Sequence, residues 1–336
     1  MKNATGSLAI LGSGETIPNI VSVHRELLNG LDDSSDIFMI DSPFGFQENA
    51  NQLVEKIIDF YKVSLNVDMK LATYRKIEEL HSKSFFKSIQ LLENASFIFA
   101  GPGSPSYASK LWYGNEFQQT LKNHLINGNN SLFASAAAST LGEYTLPVYE
   151  IYKVGQDPYW EKGLNILDVY GLSCTVVPHF NNAEGGNHDT SFSYVGENRM
   201  KTLLDNSYSN ILGIDEHTAL IISGKKETFK VVGLGNVTVL NNEGTHVFEK
   251  DSEESLSKLQ KLLISDKKRS VEIIDSKATE VNSADKATLK EIANLEIQIE
   301  SNEKNNERFE MLVENLILLR SKLRDEKNYE LSDQVR

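Results

Sequence analysis

Phe133-Ala134-Ser135-Ala136-Ala137-Ala138 follows a short apolar run and opens a helix-forming stretch. A serine on such a strand-to-helix turn turns its hydroxyl outward. It has a backbone N–H beside it and a helix N-terminus below it, which is the setting of an acyl-transfer nucleophile. The tight bend needs small neighbours. Ala136, Ala137 and Ala138 supply them on one side, whereas Phe133 does not on the other. The same pattern also describes Ser135 as the plain N-cap of a short helix.

A second constellation is Val177-Pro178-His179-Phe180-Asn181-Asn182-Ala183-Glu184-Gly185-Gly186-Asn187-His188-Asp189. An apolar run ends at Pro178 and delivers His179 into a loop rich in Asn and Gly. Loops at the carboxyl ends of parallel strands are where α/β sheets hold ligands, and a neutral imidazole there can serve as general base. His179, Glu184, His188 and Asp189 match no helical zinc spacing, so no metal is expected. A third loop, Gly101-Pro102-Gly103-Ser104-Pro105, has the same strand-to-helix context. Pro102 lacks an N–H, which leaves Gly103 as the donor for an anion or a developing oxyanion. Gly12-Ser13-Gly14-Glu15 lacks the third glycine of a dinucleotide fingerprint, and no Gly-Lys-Ser/Thr follows any glycine turn. No nucleotide or other cofactor is expected.

These loops need rigid elements to aim them. Short apolar runs at 7–11, 36–40, 96–100, 131–134, 176–178, 211–214 and 219–222 read as strands. Helical spacing appears at 53–61, 85–92 and 117–126. Alternation of the two predicts a three-layer α/β sandwich around a mostly parallel sheet. Residues 229–240 followed by 245–248 read as a hairpin or meander at one sheet edge.

The chain has 336 residues, 40% of them hydrophobic, enough for a large core. Its formal charge of −13 argues against general binding to a phosphate backbone. A single cysteine, Cys174, excludes an intrachain disulfide framework. No signal-like start and no long apolar run are present, so a cytoplasmic protein without membrane attachment is expected.

Composition changes near residue 265. From Asp266 to Arg336 there are 16 acidic and 13 basic residues, and no Gly or Pro. Long solvated helices fit that composition. Leu289, Ile292, Leu295 and Ile299 form one stripe. Leu312, Leu316, Leu319 and Leu323 form another at coiled-coil spacing, with a polar break from Ser301 to Asn306 between them. The expected organisation is a domain at 1–264, a protease-sensitive linker at 265–285 and a mobile helical hairpin at 286–336. Protein contact or self-association is the favoured role of this tail. The basic residues Arg320, Lys322, Arg324 and Lys327 keep tRNA as the minority alternative.

The order of a glycine turn, a Ser-Ala-small-Ala elbow and Pro178-His179-Phe180-Asn181-Asn182-Ala183 resembles the dipeptidase E and cyanophycinase family of serine peptidases. So does Gly213-Ile214-Asp215-Glu216-His217-Thr218-Ala219-Leu220. The resemblance implies a class I glutamine-amidotransferase-like fold and cleavage of a small peptide or amide. It implies Ser135 as nucleophile, His179 as base and Glu150 as the acid that orients the ring. Gly103 and Ala136 would be the oxyanion donors, and Asn182 and Arg199 the substrate-binding residues. The family elbow carries Gly two residues either side of the serine, where this chain has Phe133 and Ala137. The alternative is therefore an inactive ligand-binding or scaffold protein. The end of the tail, from Leu323, resembles the C-terminal segment of cysteinyl-tRNA synthetases and the UVR helical hairpin.

Overall fold

The computed structural model describes residues 3–32, 34–205, 209–264, 283–301, 306–326 and 328–335. In chain order, strand β1 (Ser7–Leu11) leads to helix α1 (Val21–Leu28), β2 (Ile37–Ile40) to α2 (Ala50–Phe60), and β3 (Lys70–Ala72) to α3 (Lys83–Glu93). Then come β4 (Phe97–Ala100), α4 (Pro105–Trp112), α5 (Glu116–Ile126), β5 (Asn130–Ala134) and the short α6 (Ala136–Ser139). A two-stranded ribbon, β6 (Tyr144–Thr145) and β7 (Glu161–Lys162), precedes β8 (Thr175–Val177) and α7 (Glu197–Asp205). The domain finishes with β9 (Ile211–Ile214), β10 (Thr218–Ser223), β11 (Thr228–Gly233), β12 (Val237–Asn241), β13 (Gly244–Phe248), β14 (Glu253–Ser255) and α8 (Leu256–Leu262). The tail forms α9 (Ser283–Ser301), α10 (Asn306–Asp325) and α11 (Tyr329–Gln334).

The main sheet has the order β14-β11-β10-β1-β5-β4-β2-β3. The five strands from β1 to β3 are parallel, while β10, β11 and β14 continue the sheet antiparallel. Alternate side chains divide between two cores. Ala9, Leu11, Met39, Phe97 and Leu132 face α1 and α2 through Val23, Leu27, Val54 and Ile57. Leu8, Ile10, Phe38, Ile98 and Phe133 face α3, α4 and α5. That period of two, with helices on both faces, makes the three-layer α/β sandwich.

A second sheet, β13-β12-β9-β8, stands beside the first. Residues 229–240 therefore do not make one hairpin. They divide between β11 in the main sheet and β12 in the second, and the hairpin at the edge is β12–β13.

The tail is a docked element rather than the mobile appendage that its composition suggests. Helix α9 lies along α3, with Leu289, Ile292 and Ala293 buried in the same core as Phe85 and Ile89. Lys83 to Glu296 at 2.9 Å, and Gln90 donating to the Lys290 carbonyl at 2.9 Å, fix the two helices side by side. Helix α10 packs on α9, and α11 on α10. Most of the expected linker and the centre of the expected turn lie outside the described residues.

Candidate active site

Register sets the nucleophile. Leu11 of β1 pairs with Ala134, and Ala100 of β4 pairs with Phe133, so three parallel strands end side by side. At that edge the chain turns sharply. Ser135 has φ 52° and ψ −116°, and its N–H donates to the Leu11 carbonyl at 2.9 Å. Such a backbone costs free energy for a residue with a Cβ, and its occurrence at a serine marks a site where geometry outweighs ease of folding. Ala136, Ala137 and Ala138 are all buried, and the Ala137 N–H reaches the Gly101 carbonyl at 3.3 Å. Phe133 fits because it points into the core against Trp112 and away from the bend.

β8 and Pro178 bring His179 to the same edge. Ser135 Oγ lies 2.9 Å from His179 Nε2. On the far side of the ring, Nδ1 is 2.8 Å from Glu216 Oε1. A carboxylate only accepts, so Nδ1 carries the proton and Nε2 is left to accept from the serine hydroxyl. Glu216 sits in the turn between β9 and β10. Its N–H donates to Asn181 Oδ1 at 2.8 Å, and Asn182 Nδ2 donates to Glu216 Oε1 at 2.8 Å. The hydrogen bond from His179 holds the Glu216 carboxyl below its ordinary range, against the upward push of burial, and the Asn182 bond adds to the lowering. Glu15, in the loop after β1, is a further carboxyl within electrostatic reach of the ring. Burial pushes it up, while its own N–H and His179 pull it back.

Two expectations are thereby corrected. Glu150 does not touch the imidazole; it accepts from Ser106 Oγ at 2.7 Å, on the turn that follows Val148. The ring's acidic partner is Glu216. Asn182 is buried and spends both ends of its amide internally, on Glu216 and on the Glu184 N–H at 3.2 Å, and it is not part of the cavity wall. Glu216 has a readable signal in retrospect. Asp215-Glu216-His217-Thr218 is a polar quartet between two fully apolar runs, on a strand-to-strand turn.

The site opens into a cavity of about 500 Å³ whose wall includes Ser135, Ala136, Gly103, His179, Tyr152 and Tyr194. Neither the Gly103 nor the Ala136 N–H has an acceptor among the described residues. Gly103, at φ +145°, crosses the β2 loop so closely that a Cβ would meet the Pro43 carbonyl oxygen at 1.9 Å. Arg199 lies on α7 and is not part of the cavity wall. Among the described residues, no three His, Cys, Asp or Glu side chains gather to hold a metal. Cys174 is buried, which pushes its thiol up and away from reactivity. No helix among the described residues is long and apolar enough to cross a membrane.

No protein-family model matches the sequence, and no curated protein matches it. Solved structures do. A peptidase from an acI-B1 Actinobacterium superposes with a TM-score of 0.61 at 22% identity, over 76% of this chain and 98% of that one. A putative Peptidase E protein from Listeria monocytogenes EGD-e aligns with a TM-score of 0.44 at 15% identity, over 69% of this chain and 100% of that one. The α/β domain described above thus has a fold similar to that of the actinobacterial peptidase.

Proposed function

We propose that the protein is a serine hydrolase that cleaves a small peptide or amide. The observation that carries the reading is the continuous contact from Ser135 Oγ to His179 at 2.9 Å and on to Glu216 at 2.8 Å, mounted on a strained strand-to-helix turn. An inactive scaffold has no need to hold a serine at that backbone geometry or to aim an imidazole at it. The likeness in fold to a peptidase adds support.

In this reading Ser135 Oγ attacks the scissile carbonyl carbon as its proton passes to His179 Nε2. The C=O π electrons become an oxyanion, met by the Ala136 and Gly103 N–H groups. Collapse breaks the C–N bond, and His179 returns the proton to the leaving amine. Water then attacks the acyl-serine by the same route in reverse roles, releasing the acid and restoring Ser135. Glu216 stays ionised, fixes the tautomer and stabilises the imidazolium in both halves.

The test is a dipeptide and amide hydrolysis screen with wild type and Ser135→Ala, together with labelling by a serine-directed fluorophosphonate. The expected result is hydrolysis and a covalent adduct on Ser135, both abolished by the substitution. Hydrolysis that survives in Ser135→Ala removes this serine from the mechanism.

For the tail we propose a protein contact or self-association. Its helix α10 exposes Met311 (53%), Ile317 (59%) and Leu318 (66%) among its charges, which suits an apolar contact better than a nucleic acid. Sedimentation of the full chain and of Leu318→Glu checks this: loss of an oligomer in the variant supports it. Tight, salt-sensitive tRNA binding that disappears with residues 286–336 counts against it.

A further inference from the structure

The cavity in front of Ser135 is walled by aromatic rings in an ordered array. Tyr194 lies 5.6 Å, centroid to centroid, from the His179 ring. Tyr152 lies 5.6 Å from Tyr194, and His188 stacks on Tyr152 at 5.9 Å with the planes 17° apart. Tyr194 is placed with unusual effort. Phe192, Ser193 and Tyr194 take φ values of 55°, 58° and 65° in succession, a left-handed run that disfavours any residue with a Cβ. The run is pinned to the histidine strand: Ser193 Oγ donates to the Pro178 carbonyl at 2.6 Å, and the Ser193 N–H to the His179 carbonyl at 3.2 Å. Strain held by such anchors beside a candidate nucleophile serves to aim a side chain.

The charges on the wall are few and peripheral. Lys153 is exposed, with its ammonium over the Tyr152 ring at 4.6 Å. Glu184 is exposed and already accepts from the Tyr194 hydroxyl at 3.2 Å. With Arg199 outside the wall, no buried cation among the described residues lines it to meet an acidic side chain, and no buried anion to meet a basic one. A charged side chain entering this space would have exposed Lys153 or Glu184 to pair with, and exposed pairs gain little against the water they displace. A flat apolar ring would instead meet the hydrocarbon of Tyr152 and Tyr194, which line the space.

Resting on the hydrolase reading above, we infer that the cavity selects substrates bearing an aromatic group next to the scissile bond. Tyr152 and Tyr194 are then the specificity-determining residues. Three prolines, Pro102, Pro105 and Pro178, complete a rigid wall and limit the adjustment that a differently shaped ligand would need.

Binding tests this separately from turnover. Phe-Ala and Ala-Phe, with the Asp and Lys dipeptides of each order, are titrated calorimetrically into Ser135→Ala protein. The expected result is that a Phe dipeptide binds about tenfold or more tightly than its Asp and Lys counterparts. Tyr152→Ala in the same background should remove that margin and Tyr152→Phe should keep it, with thermal melting confirming that each variant is folded. An Asp or Lys dipeptide that binds as tightly overturns the inference, as does a margin that survives Tyr152→Ala in a folded protein, or no binding of either Phe dipeptide at millimolar concentration. If the aromatic preference holds while wild type cleaves none of these ligands, the hydrolase reading fails and the pocket assignment stands.

Discussion

One amide and one imidazole lower the Glu216 carboxyl. Its carboxylate accepts from His179 and Asn182, and its own N–H is tied to Asn181. Because the His179 and Asn182 bonds favour the charged form, the folded-state value lies below that of the unfolded chain. The stability this contributes is present above the ordinary carboxylate value and is lost as pH falls through the folded one. The difference in melting temperature between wild type and Glu216→Gln should therefore shrink on acidification from neutral pH. A difference that stays constant would show that the carboxylate charge is not what the site stabilises. Removing the Asn182 bond acts in the opposite direction. In Asn182→Ala the Glu216 value rises, and the stability lost on acidification should begin to go at a higher pH than in wild type, with kcat at pH 8 much less affected. Loss of Glu216 itself leaves the imidazole without its orienting partner, for which on the order of 10⁴-fold in kcat is expected. The residue was hard to see in the sequence because it stands 37 positions after the histidine it contacts. The family resemblance pointed to Glu150, whereas two strands in a second sheet bring Glu216 back.

At the scale of elements, the strands that end beside the site were legible. Their apolar runs are nearly continuous, as strands buried on both faces must be, and β1, β4, β5 and β8 stop at Gly12, Gly101, Ser135 and Pro178. From that pattern alone, Ser135, Gly103 and His179 fall at strand ends and so at one edge of the fold. What the pattern cannot carry is which strands are neighbours. The three-residue edge strand β3 gave too little periodicity to see, and the division of 229–240 between two sheets follows from tertiary packing rather than from local propensity. The crossing of two loops at Gly103 is equally a matter of packing, and it yields a prediction. Gly103→Ala places a methyl 1.9 Å from the Pro43 carbonyl oxygen at a backbone angle suited to glycine. The loop must move, which costs about 1–3 kcal/mol for strain of this kind. Displacing a candidate oxyanion donor should also lower kcat by about 10²–10³-fold. Gly114→Ala is the control, since its φ is +75° yet nothing lies within 4 Å of the added carbon. It should lose stability and keep kcat. Equal kcat in the two variants would remove Gly103 from the oxyanion hole.

For the whole molecule, the open question in the sequence was what covers the tail's apolar stripes. Spacing marked Leu289, Ile292, Leu295 and Ile299 as one apolar stripe and Leu312, Leu316, Leu319 and Leu323 as another, but a stripe does not name its partner. The structure gives α9 to α3, so the tail extends the layer of helices behind β4, the strand that delivers the Gly103 loop. The polar contacts along this seam are partly exposed. Lys83 and Glu296 keep 25% and 19% of their side-chain surface, and pairs of that kind contribute about 0–1 kcal/mol. Ile292 is fully buried, and burial of such a side chain contributes about 1.5–3 kcal/mol before the penalty of placing a charge there. The apolar term therefore governs docking. Lys83→Met should change hydrogen exchange of α9 little. Ile292→Asp should raise exchange at α9 by about 100-fold or more, with a matching rise on the face of α3 that α9 covers. The central strands β4 and β5, and fluorophosphonate labelling of Ser135, should hardly respond if the tail opens as a local unit. Equal acceleration in β4 and β5 would instead mean that α9 is as much a part of the domain's core as α3. A strong response to Lys83→Met would show that the ion pair, not the stripe, holds the tail in place.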